Sequence, residues 1–168
     1  MYTTNALYME ILKIKASVRV HENTDSIEPE DRALLEMAKE QIPHAYAPYS
    51  LFRVGAAVRL QNGTVYPGCN QENASYPLCM CGERVALYTA AAQAPDQAPV
   101  ALAIVVKNDK KPVETPVSPC GACRQVIAEF EHRFGQPIRI FLQSGHSKIY
   151  ELHSVKDILP LTFDASFL

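Results

Sequence analysis

The apolar run VALAIVVK at residues 100–107 constrains the fold of this chain more than any other segment. A short and nearly continuous apolar run is typical of a strand that is covered on both of its faces. Such a strand needs helices on both sides of its sheet. The run therefore predicts an α/β fold in which this segment is a buried strand.

The rest of the chain supplies further strands and the helices that would cover them. Helices are predicted over residues 29–43, 81–94 and 121–134, and strands over 52–60, 64–69, 138–143 and, more weakly, 148–153. Asn62 and Gly63 form a strong hairpin signal between the first two of these strands. Ser154 is placed to cap a last short helix before Pro160. Helices that alternate with strands predict a sheet that is partly parallel.

The N-terminal residues form a separate part of the predicted organisation. Apolar and polar residues alternate from Leu12 to His21, which is the period of a half-buried strand, here predicted over residues 11–20. A polar break, ENTDSIEPED, separates this strand from the first helix. We therefore expect residues 1–26 to form an extension and residues 27–168 to form a single domain.

The charge of the chain bears on its partners. Its formal net charge is -2, and lysine and arginine residues do not cluster. Binding to a phosphate backbone draws on many cationic contacts, so this balance disfavours nucleic acid and favours a small, neutral or weakly charged substrate. The sequence has no apolar run long enough for a transmembrane helix and no secretory signal pattern. We expect no membrane partner and a cytoplasmic location.

Four of the five cysteines lie at two predicted helix starts, in CMCGE at 79–83 and in PCGAC at 119–123. In a reducing compartment this arrangement favours a metal site or catalysis over disulfides. A catalytic zinc takes three protein ligands and keeps one open position. Cys81, Cys120 and Cys123 can supply three thiolates, and the positive ends of the two helices lower the pKa values of such thiols.

Two charged residues follow Cys81 on the same predicted helix. Glu83 is the nearest acidic residue and suits general acid/base catalysis beside a metal. Arg84 can neutralise part of the thiolate charge. Two other interpretations stay open at this point: a lone C-x-x-C can be redox-active, and a structural zinc site can use Cys79 as a fourth ligand.

Longer motifs add a resemblance to a known family. The segments AYAPYSLFRVGAA, GCNQENASYPLCMCGERVALY and SPCGACRQVIAEF resemble those of cytidine deaminase, in its small homotetrameric form with three cysteine ligands. The resemblance runs from about residue 30 to the C-terminus. It implies a three-layer α/β/α fold with a mixed five-stranded sheet and one Zn²⁺ per chain. The implied reaction is the hydrolytic deamination of cytidine and 2′-deoxycytidine, with release of ammonia, in pyrimidine salvage.

The same resemblance assigns roles to individual residues. It implies that Cys81, Cys120 and Cys123 are the zinc ligands, that Glu83 is the catalytic proton shuttle and that Arg84 is a partner of the zinc thiolates. For the substrate, it implies that Asn70 and Glu72 bind the ribose and that Phe52 forms the aromatic wall of the base site. It also implies that a neighbouring subunit contributes Phe163. A neutral nucleoside does need an apolar wall for its base and polar groups for its hydroxyls. Without the resemblance, Phe52 can also be a core residue, and Asn70 and Glu72 can be loop residues.

Several alternatives remain after the resemblance. The chain can be another small-molecule deaminase of the same fold, such as the blasticidin S type, or a non-catalytic structural zinc module. A polynucleotide editor would be expected to carry a basic groove and stacking aromatics, and the net charge of -2 disfavours this alternative.

Cys79 is expected to be a buried packing cysteine. The histidines, which we expect to be surface or capping residues, are His21, His44, His132, His146 and His153.

Overall fold

A six-stranded mixed sheet forms the centre of the computed structural model, which describes residues 9–145 and 148–168. In chain order the main elements are β1 (Arg19–His21), α1 (Pro29–Glu40), β2 (Phe52–Leu60), β3 (Val65–Cys69), α2 (Gly82–Gln93), β4 (Pro99–Asn108), α3 (Gly121–Phe134), β5 (Arg139–Ser144) and β6 (Ile149–Leu152). The strands lie in the order β1-β6-β5-β4-β2-β3. Strands β4 and β5 are parallel, and the other neighbours are antiparallel.

The helices cover both faces of the sheet, which confirms the predicted three-layer α/β/α class. Helix α1 packs on one face through Leu34 and Leu35, and α2 and α3 pack on the other through residues such as Leu87 and Ile127. Strand β4 contributes alternate side chains to the two cores. The run at 100–107 is therefore apolar throughout because neither face of β4 meets solvent.

The predicted elements after residue 50 are all present, and each end lies within one residue of its predicted place. Helix α1 ends at Glu40, three residues earlier than predicted, and a 3₁₀ turn at Ile42–His44 follows it. Pro43 in this turn has no N–H to continue the α-helical ladder, which explains the early end. Ser154 caps the short 3₁₀ turn Val155–Asp157 as predicted, because its hydroxyl accepts from the Lys156 N–H.

The predicted strand over residues 11–20 is wrong over most of its length. Only Arg19–His21 forms a strand, β1, and residues 9–18 have no regular structure and are exposed. Strand β1 pairs with β6, which has only four residues, at the edge of the sheet. The residues before Arg19 extend beyond the end of β6 and therefore do not pair with it. This pairing also makes six strands instead of the predicted five. Residues 1–8 lie outside the described residues.

Buried carboxylates tie α1 and β1 to the sheet. Asp31, at the start of α1, accepts from Arg59 of β2 at 2.7 Å and pairs with Arg139 of β5 at 2.8 Å. Glu151 of β6 lies 3.1 Å from the Arg19 guanidinium and 2.9 Å from the His21 ring. Within the described ranges, none of the helices has the length and apolarity needed to cross a membrane.

Two strand glycines allow the helices to approach the sheet closely. A Cβ atom on Gly55 of β2 would collide with the carbonyl oxygen of Ala38 in α1. A Cβ atom on Gly68 of β3 would collide with the Ala86 nitrogen and would lie 2.8 Å from the Gly82 oxygen, both in α2. Because Gly82 begins α2, this contact fixes the start of that helix against β3.

We expect Gly55→Ala to lower the free energy of unfolding by about 3 kcal/mol or more, because a backbone carbonyl cannot yield as a flexible side chain can. The matched control is Gly121→Ala, since a Cβ atom there meets no atom within 4 Å. The control should change stability by about 1 kcal/mol or less. Urea unfolding followed by circular dichroism measures both values. Equal stability of the two variants would contradict this close packing.

Candidate active site

The two cysteine motifs place their first ligand residues at equivalent positions in two helices. Cys81 is the N-cap of α2 and Cys120 is the N-cap of α3, and both have extended backbone dihedral angles. Neither side chain makes a capping hydrogen bond to its helix. The thiols are therefore directed elsewhere, while the positive ends of both helices lie beside them. Cys123 lies in the first turn of α3.

Cys81, Cys120 and Cys123 meet in one group, which we term the thiol cluster. The Sγ atoms of Cys81 and Cys120 are 3.9 Å apart, those of Cys120 and Cys123 are 3.5 Å apart, and all three lie within 4.8 Å of one another. A tetrahedral zinc with bonds of about 2.3 Å to sulfur separates its sulfurs by about 3.8 Å. The spacing and the donor type both fit Zn²⁺.

The two other cysteines do not join this group. Cys79 accepts from the Asn73 N–H at 3.2 Å, and Cys69 accepts from the side chain of Gln71 at 3.3 Å. Among residues 9–145 and 148–168, the cluster that can hold a metal contains the three thiols and no fourth donor. The interpretation with Cys79 as a fourth ligand therefore has no support in the fold. Cys79 is also half-buried and not a buried packing residue as expected.

The electrostatics of the thiol cluster favour a thiolate. The pKa of Cys81 is lowered to about 5, first by a hydrogen bond from Cys123 and then by the neighbouring Arg84 guanidinium. Nη2 of Arg84 lies 3.7 Å from the Cys81 sulfur. The proximity of Cys81 raises the pKa of Cys123. Arg84 therefore lies against the Cys81 sulfur, where its positive charge favours the thiolate.

Glu83 lies in the first turn of α2, almost fully buried beside the thiol cluster. Burial raises the pKa of Glu83 to about 7, and the negative charge of Cys81 acts in the same direction. Its Oε2 atom is buried and has no hydrogen-bond partner in the described part of the chain. A buried polar atom without a partner is costly, so this oxygen is available for a ligand. A pKa near neutrality suits a group that both takes and gives a proton.

A cavity of about 370 Å³ opens beside the thiol cluster and Glu83. Of the residues predicted for the site, it is lined by Phe52, Asn70, Glu72, Cys81, Glu83 and Cys120. A volume of this size suits a small ligand. The fold thus brings together segments around residues 52, 70, 81 and 120 that lie far apart in the sequence.

Sequence reasoning missed several residues that line this cavity. They are Ser50, Val54, Gln71, Cys79, Met80, Ile104, Val106, Val117 and Ser118. Ile104 and Val106 were recognised as strand residues, but a continuous apolar run does not show which face α2 and α3 cover. The sequence could have predicted that Ser118 lies near the site, because it stands two residues before Cys120 in a motif that was already identified.

Asn70 and Glu72 line the cavity but also make local contacts. The Asn70 amide accepts from the Val54 N–H at 2.8 Å and donates to the Phe52 carbonyl at 2.9 Å. Asn70 therefore fixes the start of β2, where Phe52 lies. The Glu72 carboxylate accepts from the N–H groups of Tyr49 and Ser50. Burial alone would raise the pKa of Glu72, but these bonds and that of the Ser50 hydroxyl lower it overall.

Phe163 does not line this cavity. It is exposed in the C-terminal segment, its ring stacks on Phe167, and its carbonyl accepts from Gln125. Of the histidines, His21 is half-buried against Glu151, whereas His44, His132 and His153 are exposed. None of these four lines the cavity. His146 lies outside the described residues.

Comparisons with known proteins agree with this geometry. Residues 28–134 match the family described as the cytidine and deoxycytidylate deaminase zinc-binding region. The cytidine deaminase of Sporosarcina psychrophila is 47% identical over 97 residues, which are 58% of this chain and 67% of that protein. That of Halalkalibacterium halodurans is 39% identical over 132 residues, 79% of this chain and 92% of that protein.

A solved structure extends the similarity to the fold. The crystal structure of cytidine deaminase from Burkholderia pseudomallei superposes on this chain with a TM-score of 0.69 at 40% sequence identity. The superposition covers 79% of this chain and 98% of that one. Almost all of the Burkholderia chain therefore has a counterpart here.

The thiol cluster predicts which cysteines hold the metal. We expect Cys81→Ser, Cys120→Ser and Cys123→Ser to reduce the zinc content of the purified protein from about one ion per chain to nearly none. Cys79→Ser is the matched control, because it lies two residues from Cys81 but binds Asn73 instead. Elemental analysis measures zinc per chain. Loss of zinc from the Cys79 variant, or its retention after a change in the thiol cluster, would contradict the assignment.

Proposed function

The chain belongs to the cytidine and deoxycytidylate deaminase family, whose activity is zinc-dependent deamination, and we propose that the thiol cluster and Glu83 carry out that reaction here. The proposed substrates are cytidine and 2′-deoxycytidine, which water converts to uridine and 2′-deoxyuridine with release of ammonia. One observation carries the proposal. Buried Glu83, whose Oε2 atom has no partner among the described residues, lines the same cavity as Cys81 and Cys120 of the thiol cluster.

Cys81, Cys120 and Cys123 hold the zinc in this proposal. When bound, zinc would act as a Lewis acid and would lower the pKa of the water that reacts. Arg84 offsets part of the negative charge of the Cys81 thiolate, which would otherwise weaken that effect. The starts of α2 and α3 act in the same direction because the positive ends of both helices lie at the cluster.

Glu83 moves the protons. It accepts a proton from the attacking water and gives it to the ring nitrogen beside the carbon that bears the amino group. It then transfers the second proton of the water to the departing amine, so that one water is consumed and one ammonia is released for each substrate. Its raised pKa, about 7, allows the carboxyl group to take part in both directions near neutral pH.

The remaining walls of the cavity would bind the nucleoside. Phe52 offers an aromatic surface to the base, and its position is fixed by the Asn70 amide. Glu72 offers carboxylate lone pairs to the ribose, beyond those that accept from the N–H groups of Tyr49 and Ser50 and from the Ser50 hydroxyl. Asn70 would use its second amide hydrogen for the ribose. A neutral, nucleoside-sized ligand suits this mixed lining better than a polynucleotide does.

The proposal extends to assembly and location. We propose a homotetramer in which Phe163 of one subunit completes the site of its neighbour. The exposure of Phe163 and its place outside the cavity of its own chain support this arrangement. Residues 27–168 would form the deaminase domain. The five free cysteines, three of which must stay reduced to bind metal, support a cytoplasmic enzyme of pyrimidine salvage.

Glu83→Gln should reduce kcat for cytidine by about 10²- to 10⁴-fold, because an amide cannot shuttle protons. The variant should keep about one zinc per chain, since Glu83 is not a ligand. The decrease in cytidine absorbance in the ultraviolet measures the rate. Glu36→Gln, at an exposed position on α1, is the control for the loss of a carboxylate. A Glu83→Gln protein that retains wild-type turnover would refute the proposed role.

The role of Phe163 can be tested by mixing two variants that each have impaired activity. We expect Phe163→Ala to lower kcat/KM for cytidine by about tenfold or more, through loss of an aromatic contact with the substrate. When the Phe163→Ala and Glu83→Gln proteins are unfolded together and refolded, the mixture should regain activity. The reason is that a site with an intact Glu83 then receives an intact Phe163 from its neighbour. A mixture that is no more active than the sum of its parts would show that Phe163 acts within its own chain or not at all.

A further inference from the structure

A second cavity, of about 450 Å³, lies near the C-terminal end of α3, whereas the proposed active site lies at the N-terminal end of that helix. It is larger than the active-site cavity. Its walls come from the last turns of α3, from residues 135–137 and from the segment 153–164. The proposed reaction uses none of its lining residues.

The acceptors around this cavity are largely occupied. Glu131 is buried, and one of its carboxylate oxygens accepts from the N–H groups of Ile138 and Val155. The other accepts from the Ser154 hydroxyl at 2.7 Å. The last carbonyls of α3 accept from the N–H groups of Gly135 and Gln136. The Glu131 carboxylate and the last carbonyls of α3 thus accept hydrogen bonds from within the cavity walls.

The donors, in contrast, lack partners. The Nε2 atom of Gln136 is buried and has no hydrogen-bond partner among the residues that the structure describes. Lys156, His132 and His153 also line the cavity, and within residues 9–145 and 148–168 their side chains make no hydrogen bond or ion pair. An ammonium group donates three hydrogen bonds, and a neutral imidazole donates one. The lining therefore offers hydrogen-bond donors that are free for a ligand.

Two carboxylates line the same cavity, those of Glu131 and Asp164. Asp164, which also lines the cavity, accepts from the Ser166 N–H at 2.9 Å. The pKa of Asp164 is lowered, mainly by its hydrogen bonds with Ser166, and the charges of His132 and Lys156 contribute. Asp164 therefore lies close enough to His132 and Lys156 to interact with their charges.

We propose that this cavity is a binding site for a small molecule that carries a phosphate group. Gln136, Lys156 and the two imidazoles would donate to the phosphate oxygens, and the remaining volume would hold the body of the ligand. Asp164 competes with that ligand for Lys156 and His132. Removal of its charge should therefore strengthen anion binding, whereas removal of a donor should weaken it.

Isothermal titration calorimetry of the zinc-loaded full chain with sodium phosphate tests the site, with sodium chloride used to match the ionic strength. Lys156→Gln and Gln136→Leu should each raise the Kd for phosphate by about five- to tenfold. Asp164→Asn should lower it by a few-fold, because asparagine keeps the capping bond and removes the charge. Lys39→Gln, on the exposed face of α1, should leave the Kd unchanged.

The opposite effects of the Lys156 and Asp164 variants distinguish a binding site from a structural role, since damage to the fold would weaken binding in both. Ribose 5-phosphate and ribose are titrated in parallel. Tighter binding of ribose 5-phosphate than of inorganic phosphate assigns the site to a phosphorylated small molecule, and equal binding assigns it to the free anion. No saturable binding of either phosphate compound, or equal losses with Lys39→Gln and Lys156→Gln, would overturn the proposal. Cytidine turnover of the same samples reports separately on the active site.

Discussion

The convergence of two helix N-termini on one set of sulfurs is the constraint on which the rest of this structure depends. A helix start usually has its free N–H groups capped by an oxygen of Ser, Thr, Asp or Asn. Here Cys81 and Cys120 occupy the N-cap positions and turn their thiols toward each other instead. The positive ends of both helices then stabilise negative charge on sulfur. Because Cys81 and Cys120 do not cap their own helices, their thiols are free to bind a metal.

That convergence requires α2 and α3 to lie on the same face of the sheet with a fixed offset. Strand β3 holds the start of α2 through Gly68, where a side chain would collide with the helix. Strand β4 lies beneath both helices and precedes the loop that leads to Cys120. A small shift of either helix would separate the sulfurs beyond the reach of one ion. The close packing of the sheet is therefore part of the metal site.

Glu83 shows how burial and charge are balanced around this centre. Its burial disfavours the ionised form and the Cys81 thiolate disfavours it further, so its pKa rises. Arg84, the next residue, turns to the Cys81 sulfur. The N-cap and first turn of α2 therefore provide a metal ligand, the acid beside it and the cation that offsets their charge. This compactness explains why the short segment Cys81–Arg84 predicts so much of the chemistry.

The sequence predicted some features of the fold and of the site fully and others only in part. The cysteine spacing and the helix starts predicted the thiol cluster, and the run at 100–107 predicted a doubly covered strand. The alternation over residues 11–20 predicted a strand that is present only at Arg19–His21. Alternation shows which side chains would share a face, but it does not show whether a neighbouring strand is long enough to pair with them. Asn70 was predicted to bind ribose, and its contacts with the β2 backbone were not foreseen.

The sequence by itself determined the helices and strands after residue 50, the metal-binding residue types and the acid beside them, because these depend on short-range periodicity and spacing. Only the tertiary structure decided that three thiols from two helices meet within one coordination sphere, and that Ile104 and Val106 face the cavity. It also decided that donors without a partner among the described residues gather at the C-terminal end of α3. These are relations between residues far apart in the chain, and the packing of helices on the sheet sets their distances.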